Sequence, residues 1–175
     1  MTERSAVPTP ASINDLPAWI TAVFDHYRTA EVTTLTPRGT PSTFPLAGRW
    51  DPAKGTFTFT TSVGFARKAR NVRRNPRMAI LWSYPVGSGL SPGPLVLVQG
   101  DGKVHDDVAA NAPVFAGMAE SWADVQPSFS MIWSSPRWRW WCRYYLTRIF
   151  IEVTPRRIRG WRDGDTSGPP VEVWL

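Results

Sequence analysis

Between Phe57 and Trp82 the chain reads FTFTTSVGFARKARNVRRNPRMAILW, a strand, a short basic helix and a second strand in immediate succession. Phe57, Phe59 and Thr61 alternate, which is the period of a pleated strand with one buried face. Arg67, Lys68, Arg70, Arg73 and Arg74 then crowd into a helix expected over 66–74, and Asn75-Pro76 stops it. Met78 to Trp82 is apolar again. Hydroxyls and cations beside a helix start suit a phosphate, because the first backbone N–H groups have no partner and carry partial positive charge. The competing reading is a solvated basic face.

The rest of the chain supplies mostly strands. Residues 1–12 read as a flexible N-terminal arm. Leu16, Trp19, Ile20, Val23, Phe24 and Tyr27 recur at helical spacing, so a first helix is expected over 15–28. Asn14 or Asp15 would cap it, with Pro17 in the first turn. Residues 31–36, 41–50 and 56–61 read as strands, joined by turns at Pro37-Arg38-Gly39 and Asp51–Gly55. A strand over 77–83 leads into a Gly-, Pro- and Ser-rich loop at 85–93. Leu95–His105 is a strand whose Gly100 and Gly102 suggest a bulge. Asp106 or Asp107 caps a helix running to Trp122. Residues 123–143 show no clear period. Tyr145–Val153 and Arg157–Trp161 read as two strands separated by Pro155. The fold class is mainly β (α+β), with about six antiparallel strands closing into a barrel with flanking helices. One domain over 13–162 is expected, followed by a tail at 163–175.

Composition narrows the chemistry. The single Cys142 excludes an intrachain disulfide and a Cys-rich zinc site, and His26 and His105 are far apart, so no metal is expected. No apolar run reaches the ~20 residues of a membrane span, and the N-terminal residues lack a signal-peptide core. A cytoplasmic location is therefore expected. The net charge of +6 and pI near 10.1 favour anionic partners. Neither GxGxxG nor a P-loop is present, which argues against Rossmann and Walker nucleotide sites. No carboxylate or histidine pair stands out as an acid–base couple, so catalytic residues stay unassigned and chemistry carried by a cofactor is favoured. His26, His105 and Cys142 read as structural or boundary residues. Trp133, Trp138, Trp140, Trp141, Tyr144 and Tyr145, threaded by Arg137, Arg139 and Arg143, read first as a dimer seam.

Four segments in order resemble the split β-barrel of the pyridoxamine-phosphate-oxidase-like flavoproteins, which include flavin- and deazaflavin-dependent oxidoreductases. They are the hairpin Leu35–Leu46, the stretch Phe57–Trp82, the strand Leu95–Asp107 and the closing pair Arg148–Trp161. The resemblance implies a homodimer with FMN at the subunit interface and a small planar substrate. It implies that Arg67 and Lys68 hold the cofactor phosphate and that Thr60, Thr61 and Ser62 contact it. Phe44, Pro45, Leu46 and Arg49 match the strand that runs along the ring. Asn71, one turn after Arg67, could extend that face or simply pack.

The departures matter too. Where the oxidase has Arg-x-Val-Leu-Leu-Lys, this chain has Phe44-Pro45-Leu46-Ala47-Gly48-Arg49. The family's Gln falls near Leu95, with Gln99 displaced, and the C-terminal Arg-x-His has no counterpart in Arg157–Trp161. Oxidation of vitamin B6 is therefore not expected. An FMN-dependent hydride transfer is the leading reading, with an F420-dependent reductase as alternative, since the surplus arginines suit an acidic tail. A non-catalytic flavin- or haem-binding protein is a second alternative. Nucleic-acid binding is the remaining class and is not favoured.

Overall fold

Strand alternation decides the architecture. A computed structural model describes residues 13–125 and 127–175; the expected arm at 1–12 lies outside the described residues. In chain order the elements are α1 (Ala18–His26), β1 (Ala30–Leu35), β2 (Pro41–Leu46), β3 (Gly48–Asp51), β4 (Thr56–Ser62), α2 (Arg67–Arg74) and β5 (Arg77–Trp82). There follow β6 (Leu95–His105), α3 (Val108–Val125), α4 (Pro127–Ser134), α5 (Pro136–Trp141), α6 (Arg143–Leu146), β7 (Arg148–Trp161) and β8 (Val171–Trp174). The strands form one antiparallel sheet in the order β2-β1-β5-β6-β7-β4-β3, with β8 added on β7. The sheet curls into a half-barrel with flanking helices, an α+β fold.

Every second residue fills the concave side. Val32, Phe57, Phe59, Ile80, Val96, Val98, Ile151, Val153 and Ile158 are fully buried there. Helix α1 closes one end because Ile20, Val23, Phe24 and Tyr27 fall on one stripe. Phe24 meets the rings of Phe57, Trp82 and Trp50 at 4.8, 4.9 and 5.3 Å between centroids, and Trp50 lies 4.6 Å from Phe57. Each such ring contributes roughly 1.5–3 kcal/mol by burial. The helix starts later than the sequence suggested. Ile13–Asp15 form a separate 3₁₀ turn and Pro17, not Asn14 or Asp15, is the N-cap residue, its extended ψ of 137° turning the chain into the helix.

Four further expectations are corrected. The run 41–50 is two strands rather than one: β2 pairs with β1 at one edge and β3 with β4 at the other. The chain crosses between the edges at Ala47-Gly48. Glycine is required there, since a Cβ at Gly48 would collide with the ring of Phe59. Among the described residues there are eight strands rather than about six, because of this split and because residues 171–174 of the Gly- and Pro-rich tail pair with β7. Pro155 does not break β7, which runs through 14 residues. A bulge absorbs it: Gln99 faces Arg157 but Gly100 faces Pro155, leaving Arg156 unpaired in the ladder. The expected bulge at Gly100 is thus present, and only glycine fits, because a Cβ would meet the Thr154 carbonyl. Finally, α3 runs on to Val125 with Pro113 inside it, and the segment without clear period holds α4, α5 and α6.

Candidate phosphate and ring site

Strand β4 ends in three hydroxyls, and the structure accounts for two of them within the fold. Thr60, Thr61 and Ser62 are all buried. Thr61 Oγ1 donates to the Phe65 carbonyl at 2.9 Å. Ser62 Oγ donates to the Tyr144 carbonyl at 3.0 Å and accepts the Gly64 N–H at 3.2 Å. These bonds shape the 3₁₀ turn Val63–Phe65 that delivers the chain to α2. Tyr144 covers this turn; its ring would lie 2.7 Å from a Cβ on Gly64. Neither the glycine nor the tyrosine was singled out for this role by the sequence, since 82 residues separate Ser62 from Tyr144.

Helix α2 begins without a side-chain cap. Ala66 occupies the N-cap position and has no oxygen to offer the first N–H groups. Arg67 and Lys68 follow at once. Arg67 is exposed, and among the described residues it has no carboxylate partner. Lys68 is half-buried, with Nζ 4.3 Å from the centroid of the Phe44 ring. Burial, and then the neighbouring Arg67 charge, push the Lys68 ammonium below its usual pKa. Among the described residues this cation has no carboxylate partner, and a bound anion would offset both causes. This cradle of cations and uncapped N–H groups fits a phosphate on its chemistry.

Phe44 brings the second strand into the site. It faces Val32 on β1, while Pro45 faces Glu31 and Leu46 faces Ala30. β2 is an edge strand, where Pro45 costs no central ladder bond. Phe44 and Pro45 are exposed, and Leu46 leans on the core. Arg49 is placed elsewhere. It lies on β3, the opposite edge, paired with Thr58 and exposed.

Asn71 has both ends of its amide engaged. Its Nδ2 donates to Thr34 Oγ1 at 3.0 Å, and its Oδ1 accepts from Arg74 Nη2 at 2.8 Å. It is buried and ties α2 to β1. Arg73 pairs with Asp106, with an Nε–Oδ2 distance of 3.2 Å. Arg70 and Arg77 are exposed and, among the described residues, form no ion pair. No cluster of potential metal ligands occurs among the described residues, and no helix there is long and apolar enough to cross a membrane.

No family model matches the chain, and no curated protein matches it significantly. Solved structures do match in fold. An FMN-binding protein related to pyridoxamine 5'-phosphate oxidase, from Nostoc punctiforme, aligns with a TM-score of 0.57 at 16% identity, over 92% of this chain and 91% of that one. A putative pyridoxamine 5'-phosphate oxidase from Listeria innocua aligns with a TM-score of 0.54 at 16% identity, covering 82% and 95%. A protein described as an F420 reductase gives 0.54 at 17% identity, covering 82% and 98%. The fold is therefore the one that the four ordered segments resemble.

Proposed function

We propose that the protein binds FMN and acts as an oxidoreductase on a small planar substrate. The observation that carries this reading is the start of α2, uncapped, flanked by Arg67, and holding the desolvated Lys68 against Phe44. The phosphate would sit at the α2 start, which no side chain caps, with Arg67 and Lys68 as its counter-charges. The Phe44–Leu46 edge would line the ring, using backbone groups where the oxidase has an arginine. When bound, the flavin supplies hydride transfer at its ring. The protein's residues bind, orient and shield it. One exposed edge strand would cover only part of a ring, so a second subunit would complete the pocket. A homodimer with the cofactor at the subunit interface is therefore part of the proposal.

One observation favours F420 as the second reading. Arg70 and Arg77 are exposed cations in excess of what one phosphate needs, and an acidic tail would use them. Titrating cofactor-free protein with FMN and with F420 at two salt concentrations separates the two. FMN binding that shifts the flavin visible band supports the main reading. Salt-sensitive binding of F420 without FMN binding replaces it. Binding of either without turnover supports a carrier role.

A further inference from the structure

A second basic site, built without Arg67, Lys68 or Phe44, lies in a cleft of about 410 Å³ between α3, the α4–α6 segment and the first residues of β7. Its floor is Arg148, nine-tenths buried. A guanidinium stays charged at all ordinary pH, so burying one without a partner is costly. Among the described residues Arg148 has no carboxylate partner and its Nε has no hydrogen bond. Two rings flank it instead: its Cζ lies 4.3 Å from the Tyr145 centroid and 5.1 Å from that of Phe115. Aromatic faces return only part of the lost hydration.

The backbone holds this arginine in place. Ser62 faces it across the β4–β7 ladder. Asn111 Nδ2 donates to the Arg148 carbonyl at 3.2 Å and to the His105 carbonyl at 2.8 Å, fixing α3 over the ends of β6 and β7. Arg139 and Arg143 stand at the mouth, stacked at 5.6 Å on Trp133 and 5.1 Å on Trp140. The described lining holds three arginines and no Asp or Glu. Its walls, Val108, Ala112, Phe115, Trp133 and Leu146, are apolar.

We infer that this cleft binds a planar aryl carboxylate, with its two oxygens on Arg148 and its ring against Phe115 and Trp133. A guanidinium matches a carboxylate as a two-pronged fork. A flat apolar body suits walls that cannot hydrate a dianion, and the volume lies in the range of small-ligand sites, about 300–1,000 Å³. The site does not depend on the FMN reading, because none of its residues belongs to the α2 cradle.

Calorimetric titration of the full, cofactor-free chain with 1-naphthoate, 1-naphthamide and inorganic phosphate tests it. Saturable binding of naphthoate is expected, with naphthamide at least tenfold weaker and phosphate failing to compete. Arg148→Met keeps the packing volume and should weaken naphthoate at least tenfold. Arg67→Ala/Lys68→Ala should leave naphthoate binding unchanged, which separates this site from the phosphate cradle. Absence of saturable binding overturns the inference, as does equal binding of naphthamide or an Arg148→Met variant that binds naphthoate normally. Competition by phosphate assigns the cleft to simple anions and overturns the aryl component. Should Arg148→Met misfold, Arg148→Lys and Arg139→Gln carry the same comparison, and naphthoate binding unchanged in both overturns it.

Discussion

Lys68 links stability to the phosphate binding proposed for it. Its ammonium is desolvated, and its folded pKa lies below the ordinary 10.5. The unfolded chain then binds more protons than the folded one between the lowered value and 10.5. Stability of the cofactor-free protein therefore rises as pH climbs through that window. Tyr27 has the opposite sign: burial raises its pKa, and its hydroxyl donates to the Pro94 carbonyl at 2.6 Å, so its share of stability fades above pH 10. Comparing wild type with Lys68→Met by guanidinium denaturation isolates the lysine. The variant should lack the alkaline gain and be the more stable protein at pH 7, while binding FMN less tightly. An identical pH profile in both proteins would remove the desolvation argument. Asn71 teaches the reverse lesson. Its position one turn after Arg67 was legible in the sequence, but its bond to Thr34, 37 positions away, was not.

At the scale of elements, two glycines with opposite surroundings test how the sheet is built. Gly100 faces Pro155 at the bulge, where a Cβ meets backbone that cannot yield. Gly100→Ala should destabilise by roughly 1–3 kcal/mol through overpacking. Gly117, within α3, has no atom of a neighbouring element within 4 Å of its missing Cβ among the described residues. Gly117→Ala should stabilise by about 0.4–1 kcal/mol, mostly by restricting the unfolded chain. Urea denaturation measures both, and equal effects would contradict the assigned geometry. The strand–helix–strand unit from Phe57 to Trp82 was readable because its periods switch within one run of sequence. The break at Ala47 was not readable, because β2 and β3 both continue an extended chain and only their partners differ. The same holds for Pro155, whose tolerance depends on a glycine opposite it.

For the whole molecule, the aromatic surface is the feature that sequence composition raised and the fold leaves exposed. Trp138, Trp140, Trp141 and Tyr144 are 49–74% accessible in the single chain. So much exposed aromatic surface is unusual for a protein that stays monomeric. A dimer at micromolar concentration is expected by light scattering, and Trp140→Ser/Trp141→Ser should shift the equilibrium toward monomer. A monomeric wild type would contradict the dimer component.

FMN and riboflavin differ only in the phosphate, so comparing their affinities tests whether the α2 start holds that group, as proposed. Wild-type protein should bind FMN at least a hundredfold more tightly. Arg67→Ala/Lys68→Ala should collapse most of that preference, because two charge-assisted bonds contribute about 1.5–3 kcal/mol each. Equal affinity for FMN and riboflavin in the wild type, or an unchanged preference in a folded double variant, would contradict a phosphate site at the α2 start.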